Sequence, residues 1–222
     1  MKTHFKLLLA AAGLLVTATL LGVAAKGRGP LPGDLAISRA FQQLVPYNES
    51  VKATSGYVAT LVAWLPIIAF AVVLLMRRWQ DAALLAVAGL TTLYFAEDGL
   101  KSLFVRPRPA AEYVNVYESA RGLSFPSGTA LRTMVILVVV GYLKWQAGKA
   151  DRLSNGGALS RFYSLLFPFC LSLLLVANAA RILVGAHWVS DIIGGWMFGA
   201  GWALVLCALS QWLVGRDAAL KE

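Results

Sequence analysis

Arg181-Ile182-Leu183-Val184-Gly185-Ala186-His187-Trp188-Val189-Ser190-Asp191 stands between two long apolar runs, 162–179 and 192–214. A bilayer tolerates an arginine, a histidine and an aspartate only where they face a protein interior or the water interface, so this stretch reads as a polar site at the junction of two spans. His187 and Asp191 are four apart. On a helix they share a face, and Asp191 can then hold the imidazole tautomer that exposes the other nitrogen as a nucleophile. A lone histidine is more often structural, but pairing with Asp191 and Arg181 in an apolar chain favours chemistry. His187 is one of two histidines, and the other, His4, lies in the N-terminal segment.

Outward from this stretch the chain stays apolar: 59% of its 222 residues are hydrophobic and only 14% charged, against nearer 25% charged in a soluble domain. Candidate spans fall at 7–24, 57–76, 82–97, 130–145, 162–179 and 192–214, each near the roughly 20 residues a helix needs to cross hydrocarbon, the third and fourth marginally. The fold expected is an all-α integral membrane protein, six helices in one domain over 1–222. Lys2, Lys6, the Leu-rich run and Gly22-Val23-Ala24 also fit a signal peptide, but the apolar stretch exceeds a signal core and no soluble domain follows, which favours an uncleaved first helix. An external loop over 27–55 carries the breakers Pro30, Pro32 and Gly33, then Asp34 as a helix cap and Leu35, Ile37, Phe41 and Leu44 at helical spacing. This predicts an interfacial helix that either gates lipid entry or simply covers the bundle end.

With six spans, Lys2, Lys6, Arg77, Arg78, Lys144, Lys149, Arg152, Arg161, Arg216 and Lys221 share one side, which the positive-inside rule makes cytoplasmic. The other side holds Lys26, Arg28, Arg39, Lys52, Lys101, Arg106, Arg108, Arg121, Arg132 and Arg181, several in or beside polar motifs where an anionic ligand accounts for them. The net charge of +9 is thus split between membrane faces, not gathered in one aromatic-lined groove. That argues against nucleic acid and for anionic lipid as partner. Cys170 and Cys207 have no metal-ligand spacing and read as core residues.

Two further constellations stand at span ends. Glu97, Asp98 and Lys101 precede Arg106-Pro107-Arg108-Pro109, whose prolines forbid helix continuation and can bring Lys101 and Arg108 to one opening. A mobile ammonium and a forked guanidinium suit an oxyanion, although a basic helix end alone would look the same. Ser124-Phe125-Pro126-Ser127-Gly128-Thr129 then feeds the fourth span. Such a turn aims backbone N–H groups and a hydroxyl at one point where the helix end favours a phosphoryl group, and it also fits a plain capped helix start.

Taken in order, these segments resemble the three signatures of the type 2 phosphatidic acid phosphatases (PAP2) and the related vanadium haloperoxidases: Lys-x6-Arg-Pro, Pro-Ser-Gly-His and Ser-Arg-x5-His-x3-Asp. Here they are Lys101-x6-Arg108-Pro109, Pro126-Ser127-Gly128-Thr129 and Ala180-Arg181-x5-His187-x3-Asp191. The resemblance implies a six-transmembrane bundle of the PAP2/haloperoxidase type. It implies that Lys101, Arg108, Arg181, the Ser127 hydroxyl and the Gly128 N–H hold phosphate, that His187 forms a phosphohistidine, and that Asp191 orients its ring. No cofactor or metal is implied.

Two positions depart from the pattern. Ala180 stands where the family has serine and removes one supporting hydrogen bond. Thr129 stands where it has the histidine that protonates the leaving oxygen, and a hydroxyl is no acid near neutral pH. General acid catalysis is worth roughly 10²–10⁴-fold, and a diphosphate leaving group needs it least. The expectation is therefore a lipid phosphatase of the bacterial inner membrane, its site facing the periplasm, acting on phosphatidylglycerol phosphate, phosphatidate or polyprenyl diphosphate. Thr129 equally fits a lipid phosphotransferase, a non-catalytic phospholipid-binding or transport protein, or a deliberate replacement that traps substrate. Oligomeric state and lipid chain length are not legible.

Overall fold

A computed structural model describes residues 3–76, 78–94, 99–151 and 157–219, and every regular element among them is helical. In chain order these are α1 (Thr3–Ala25), α2 (Asp34–Leu44), α3 (Glu49–Leu75), α4 (Trp79–Tyr94), α5 (Leu100–Phe104), α6 (Gly128–Asp151), α7 (Ala158–Leu183) and α8 (Val189–Ala219). Lys2, Arg77, Glu97, Asp98, Arg152 and Lys221, which entered the sequence reading, lie outside the described residues.

Six long helices run back and forth. α8 packs on α1 and α6, α7 lies against α6 and α3, and α4 fits between α3 and α6. The N-terminus of α6, the C-terminus of α7 and the N-terminus of α8 therefore meet at one end, where α5 and the long 105–127 segment also fold. Small residues set how closely α6 and α8 approach. A Cβ at Gly195 would strike the Ser127 carbonyl oxygen and the Ala130 side chain, and one at Gly199 the Leu131 carbonyl oxygen. Lipid supplies no hydrophobic drive between helices, so such backbone approach is the main source of their van der Waals attraction. Below the polar end, Phe125 meets Phe104 edge-on at 5.3 Å and Phe198 at 6.4 Å between centroids, closing the site from the bundle interior.

α1, α6, α7 and α8 are each long and apolar enough to cross a membrane. α3 makes a fifth if its two segments, bent by 42°, count as one span. The 16 described residues of α4 span about 24 Å at the helical rise. Lys144 and Lys149 stand on α6 itself, which runs on past the expected end of its span.

The helix expected within 27–55 is α2, and α3 already begins inside that stretch. Asn48 accepts from the Val51 N–H at 3.0 Å and starts α3 at Glu49. Asp34 does not cap α2: the N-cap is Gly33, at φ 89°, and makes no side-chain cap bond. Of the Leu35–Ile37–Phe41–Leu44 stripe, Leu35 and Phe41 are half-buried. The buried residues of α2 are Asp34 and Ser38, with Gln42 half-buried in line, while Ile37 and Leu44 are exposed. Gln42 exchanges bonds with the Asn115 backbone, 2.7 and 3.0 Å, and donates to the Leu183 carbonyl at 3.0 Å. Phe41 packs on the small cluster of Ala130, Ile182 and Ile192, so α2 seats on the bundle end through polar bonds and one aromatic ring.

Candidate active site

The site is built from its buried side outward. α5 ends at Phe104, and Val105 follows at φ 46°, a left-handed conformation that costs a β-branched residue about 1–3 kcal/mol. That turn swings Arg106 into the interior, where it is fully buried. Its Nη1 donates to Asp191 Oδ1 at 2.6 Å and to Ser190 Oγ at 2.7 Å. Its Nη2 donates to Asp34 Oδ2 at 2.8 Å and to the Gly29 carbonyl at 2.9 Å. Charge-assisted bonds of this kind are individually strong enough to hold the strained turn.

Asp191 sits in the first turn of α8 and completes a capping arrangement there: Oδ2 accepts from the Trp188 N–H at 2.8 Å. The same oxygen accepts from the Ser124 hydroxyl, and the Asp191 carbonyl accepts from the Ser127 N–H at 3.0 Å. One carboxylate residue thus joins α8 to the turn before α6. His187 is not on the helix, contrary to the shared-face reading. It precedes α8 in a turn made possible by Gly185 at φ 72°, where a Cβ would collide with the Asn115 carbonyl oxygen. Its Nδ1 faces Asp191 Oδ2 at 3.5 Å because Asp191 folds back toward the helix start.

On the other edge of the ring, His187 Nε2 lies 3.2 Å from Arg108 Nη1. A guanidinium only donates, so Nε2 carries the lone pair and the proton sits on Nδ1, toward Asp191. Burial pushes the ring down to about 4, well below the ordinary 6.5, aided by Arg108 and Arg181 and opposed by Asp191. The imidazole is therefore neutral at pH 7 with a free electron pair aimed at a cation. Arg108 is itself fixed: Nη1 donates to the Ala186 carbonyl at 2.8 Å and Nη2 to the Arg121 carbonyl at 2.8 Å, with Nε against the Arg121 and Gly122 carbonyls.

Arg181, near the end of α7, donates to Ser55 Oγ at 3.3 Å and pairs with Glu118 at 3.4 Å, while its carbonyl accepts from the Ala186 and His187 N–H groups. Ser127 is fully buried, and its hydroxyl accepts from the Ala130 N–H at 3.4 Å, so in this state it caps α6. Gly128 opens that helix, and Thr129 is half-buried beside it. Lys101 is half-buried on α5. His187, Asp191, Arg108 and Arg181 thus form one cluster, joined through backbone to Ser127 and Gly128. The place of Lys101 in it belongs to the proposal below. Sequence reading missed Asp34, Ser190, Ser124 and Glu118, and took Arg106 for part of a basic helix end. The signal available was that an arginine entering an apolar bundle demands a carboxylate partner, and few of the chain's eleven acids could reach it.

This arrangement is that of a known class. The sequence matches the PAP2 superfamily over residues 81–214, more than half its length, and the chain belongs to that family. The fold is also similar to that of the first transmembrane PAP2-type phosphatidylglycerolphosphate phosphatase from Bacillus subtilis. The TM-score is 0.66 at 20% sequence identity, covering 93% of this chain and 96% of that one. A comparison with curated proteins returns no match. The resemblance drawn from the three motifs is thereby established, as is a multi-pass helical membrane fold of the phosphatase type.

Proposed function

We propose that this protein is a lipid phosphatase in which His187 takes the phosphoryl group. The observation that carries the reading is the setting of the ring, Arg108 at Nε2 and the Asp191 carboxylate 3.5 Å from Nδ1. An arriving phosphate draws the Arg108 N–H groups to its own oxygens and frees the Nε2 electron pair. Nε2 then bonds to phosphorus as the bond to the leaving oxygen breaks, the electron pair departing with that oxygen. Asp191 stabilises the charged ring through Nδ1–H. Lys101, Arg108, Arg181, the Ser127 hydroxyl and the Gly128 N–H hold the remaining oxygens and the charge that develops on them. Water attacks the phosphohistidine in the second step, releasing phosphate and restoring neutral His187.

Thr129 leaves the leaving oxygen without a proton donor at that position, which favours a polyprenyl diphosphate over phosphatidylglycerol phosphate or phosphatidate, since phosphate departs without protonation. A lipid substrate is supported by an apolar cavity of about 330 Å³ between α3, α4 and α6, lined by Val62, Phe70, Leu85, Leu90 and Ile136. Arg132, one turn beyond Thr129, also lines it. Lys144, Lys149 and Arg161 stand at the end of the bundle opposite the site, which supports a bacterial inner-membrane orientation with the site toward the periplasm. Phosphate release from a diphosphate and a monophosphate lipid, in wild type and His187→Ala, tests the reading. Binding of vanadate with no release from either lipid would favour the phospholipid-binding alternative.

A further inference from the structure

Asp34 belongs to none of the three motifs, yet it lies in the same fully buried charge cluster as the residue behind the nucleophile. The side chains of Arg106 and Asp191 are 0% exposed and that of Asp34 is 2% exposed. Asp34 is held by more than Arg106. Its Oδ1 accepts from the Ser190 N–H at 2.8 Å, and its Oδ2 accepts from the Ser190 hydroxyl at 2.6 Å and the Leu31 N–H at 2.8 Å. Ser190 Oγ also receives Arg106 Nη1, so one hydroxyl joins the carboxylate to the guanidinium.

The charge count decides what this arrangement does. Arg106 paired with Asp191 alone would be neutral as a pair, and the guanidinium would cancel most of the field that Asp191 exerts on the imidazole a few ångströms away. In a buried site such opposition is little screened. With a second carboxylate on its other nitrogen, Arg106 is neutralised from behind. The cluster keeps one net negative charge, on the side facing His187. Among the described residues, the other charged groups acting on the ring, Arg108 from the 105–127 segment and Arg181 from α7, are both cationic and oppose any positive charge on it. Asp191 and what lies behind it are therefore the counterweight.

We propose, resting on the phosphohistidine reading above, that Asp34 is a positioning residue of the reaction. By neutralising Arg106 it leaves the charge of Asp191 undivided for the cationic ring that forms when His187 accepts the phosphoryl group. The relay runs His187–Asp191–Arg106–Asp34 and ends on α2, outside the region that matches the family.

The test uses the full chain in detergent, with His4→Gln so that one imidazole remains. Ring ¹⁵N shifts give the pKa of His187, and phosphate release from a lipid diphosphate gives kcat and KM. Asp34→Asn should lower the His187 pKa further and cut kcat roughly 10-fold with KM little changed, the usual scale for an outer-shell partner. Asp34→Asn combined with Arg106→Gln removes the cation together with its rear anion and should return the ring pKa toward the wild-type value. An unmoved ring pKa in Asp34→Asn, or a double variant whose ring pKa stays as low as that of Asp34→Asn alone, would overturn the proposal and leave Asp34 a structural residue. If Asp34→Asn does not fold, the double variant decides alone: a ring pKa well below wild type contradicts the relay. Absence of phosphate release from the wild type would count against the phosphatase reading, and the ring titration would still decide the role of Asp34.

Discussion

Arg106 and Arg108 are separated by one proline and live in opposite worlds. Arg106 is fully buried and answers two carboxylates and a serine hydroxyl, whereas Arg108 is half-buried and answers backbone carbonyls and a histidine nitrogen. Two carboxylates hold Arg106 where no solvent reaches it, whereas Arg108 stands half-buried beside the ring nitrogen of His187. The inner tier holds the geometry. Binding, in the proposed function, falls to the outer tier.

The sharpest way to break this comparison is to remove each cation in turn. Arg106→Met strands two buried carboxylates and should destabilise the fold by about 3–5 kcal/mol, read as loss of folded protein in a detergent melting experiment. Arg108→Met should change the melting by under about 1 kcal/mol, since a part-exposed cation contributes little to folding. Its affinity for vanadate should instead fall steeply. If both variants melt alike, the division into tiers is wrong.

Asp191→Asn sits on the boundary between tiers, keeps the shape and removes the charge. Anion binding should survive while turnover falls by roughly 10²-fold or more, because the amide no longer enforces the tautomer that leaves Nε2 free. A loss of binding in step with turnover would mean that Asp191 only supports the fold.

At the open face, Thr129→His tests what the missing acid is worth. Cleavage of a lipid monophosphate should rise by roughly 10²-fold or more, with a much smaller gain on a diphosphate. Equal gains on both would show that Thr129 does not set substrate choice.

Much of this was legible in the sequence, and its gaps have a physical reason. The motif residues at span ends could be placed because charge in an apolar chain has few places to go. The partner of Arg106 could not, because Asp34 is remote in the chain and its local context, Pro-Gly-Asp before an apolar rhythm, is that of a helix cap. Only the tertiary demand of a buried guanidinium overrides that reading. The face of α2 was open for the same reason: helical periodicity marks an apolar stripe but not what receives it. His187 and Asp191 were paired correctly through the wrong geometry, since a capping turn brings together residues four apart as well as a helix does.

Two smaller effects refine the picture. The His187 ring is held down to about 4, below its unfolded value, so the folded state keeps it neutral. As pH falls through about 6.5 toward 4 the unfolded chain takes up a proton that the folded chain refuses, and this group then subtracts stability; above that window it contributes nothing. Ring ¹⁵N shifts should therefore still report a neutral tautomer with the proton on Nδ1 at pH 5.5. A cationic ring there would contradict the burial argument. Ala180→Ser should be the mildest change, raising turnover by no more than a few-fold through one restored hydrogen bond.

The central claim is that phosphorus becomes bonded to His187, and a trapping experiment addresses it most directly. The protein is mixed with a lipid diphosphate labelled at its terminal phosphorus and quenched in alkali, where a phosphohistidine survives, with a parallel acid quench, where it does not. The account predicts alkali-stable, acid-labile label on the wild-type chain, none on His187→Ala, and no phosphate release by that variant. Undiminished release by His187→Ala, or label that persists on it, would contradict the account.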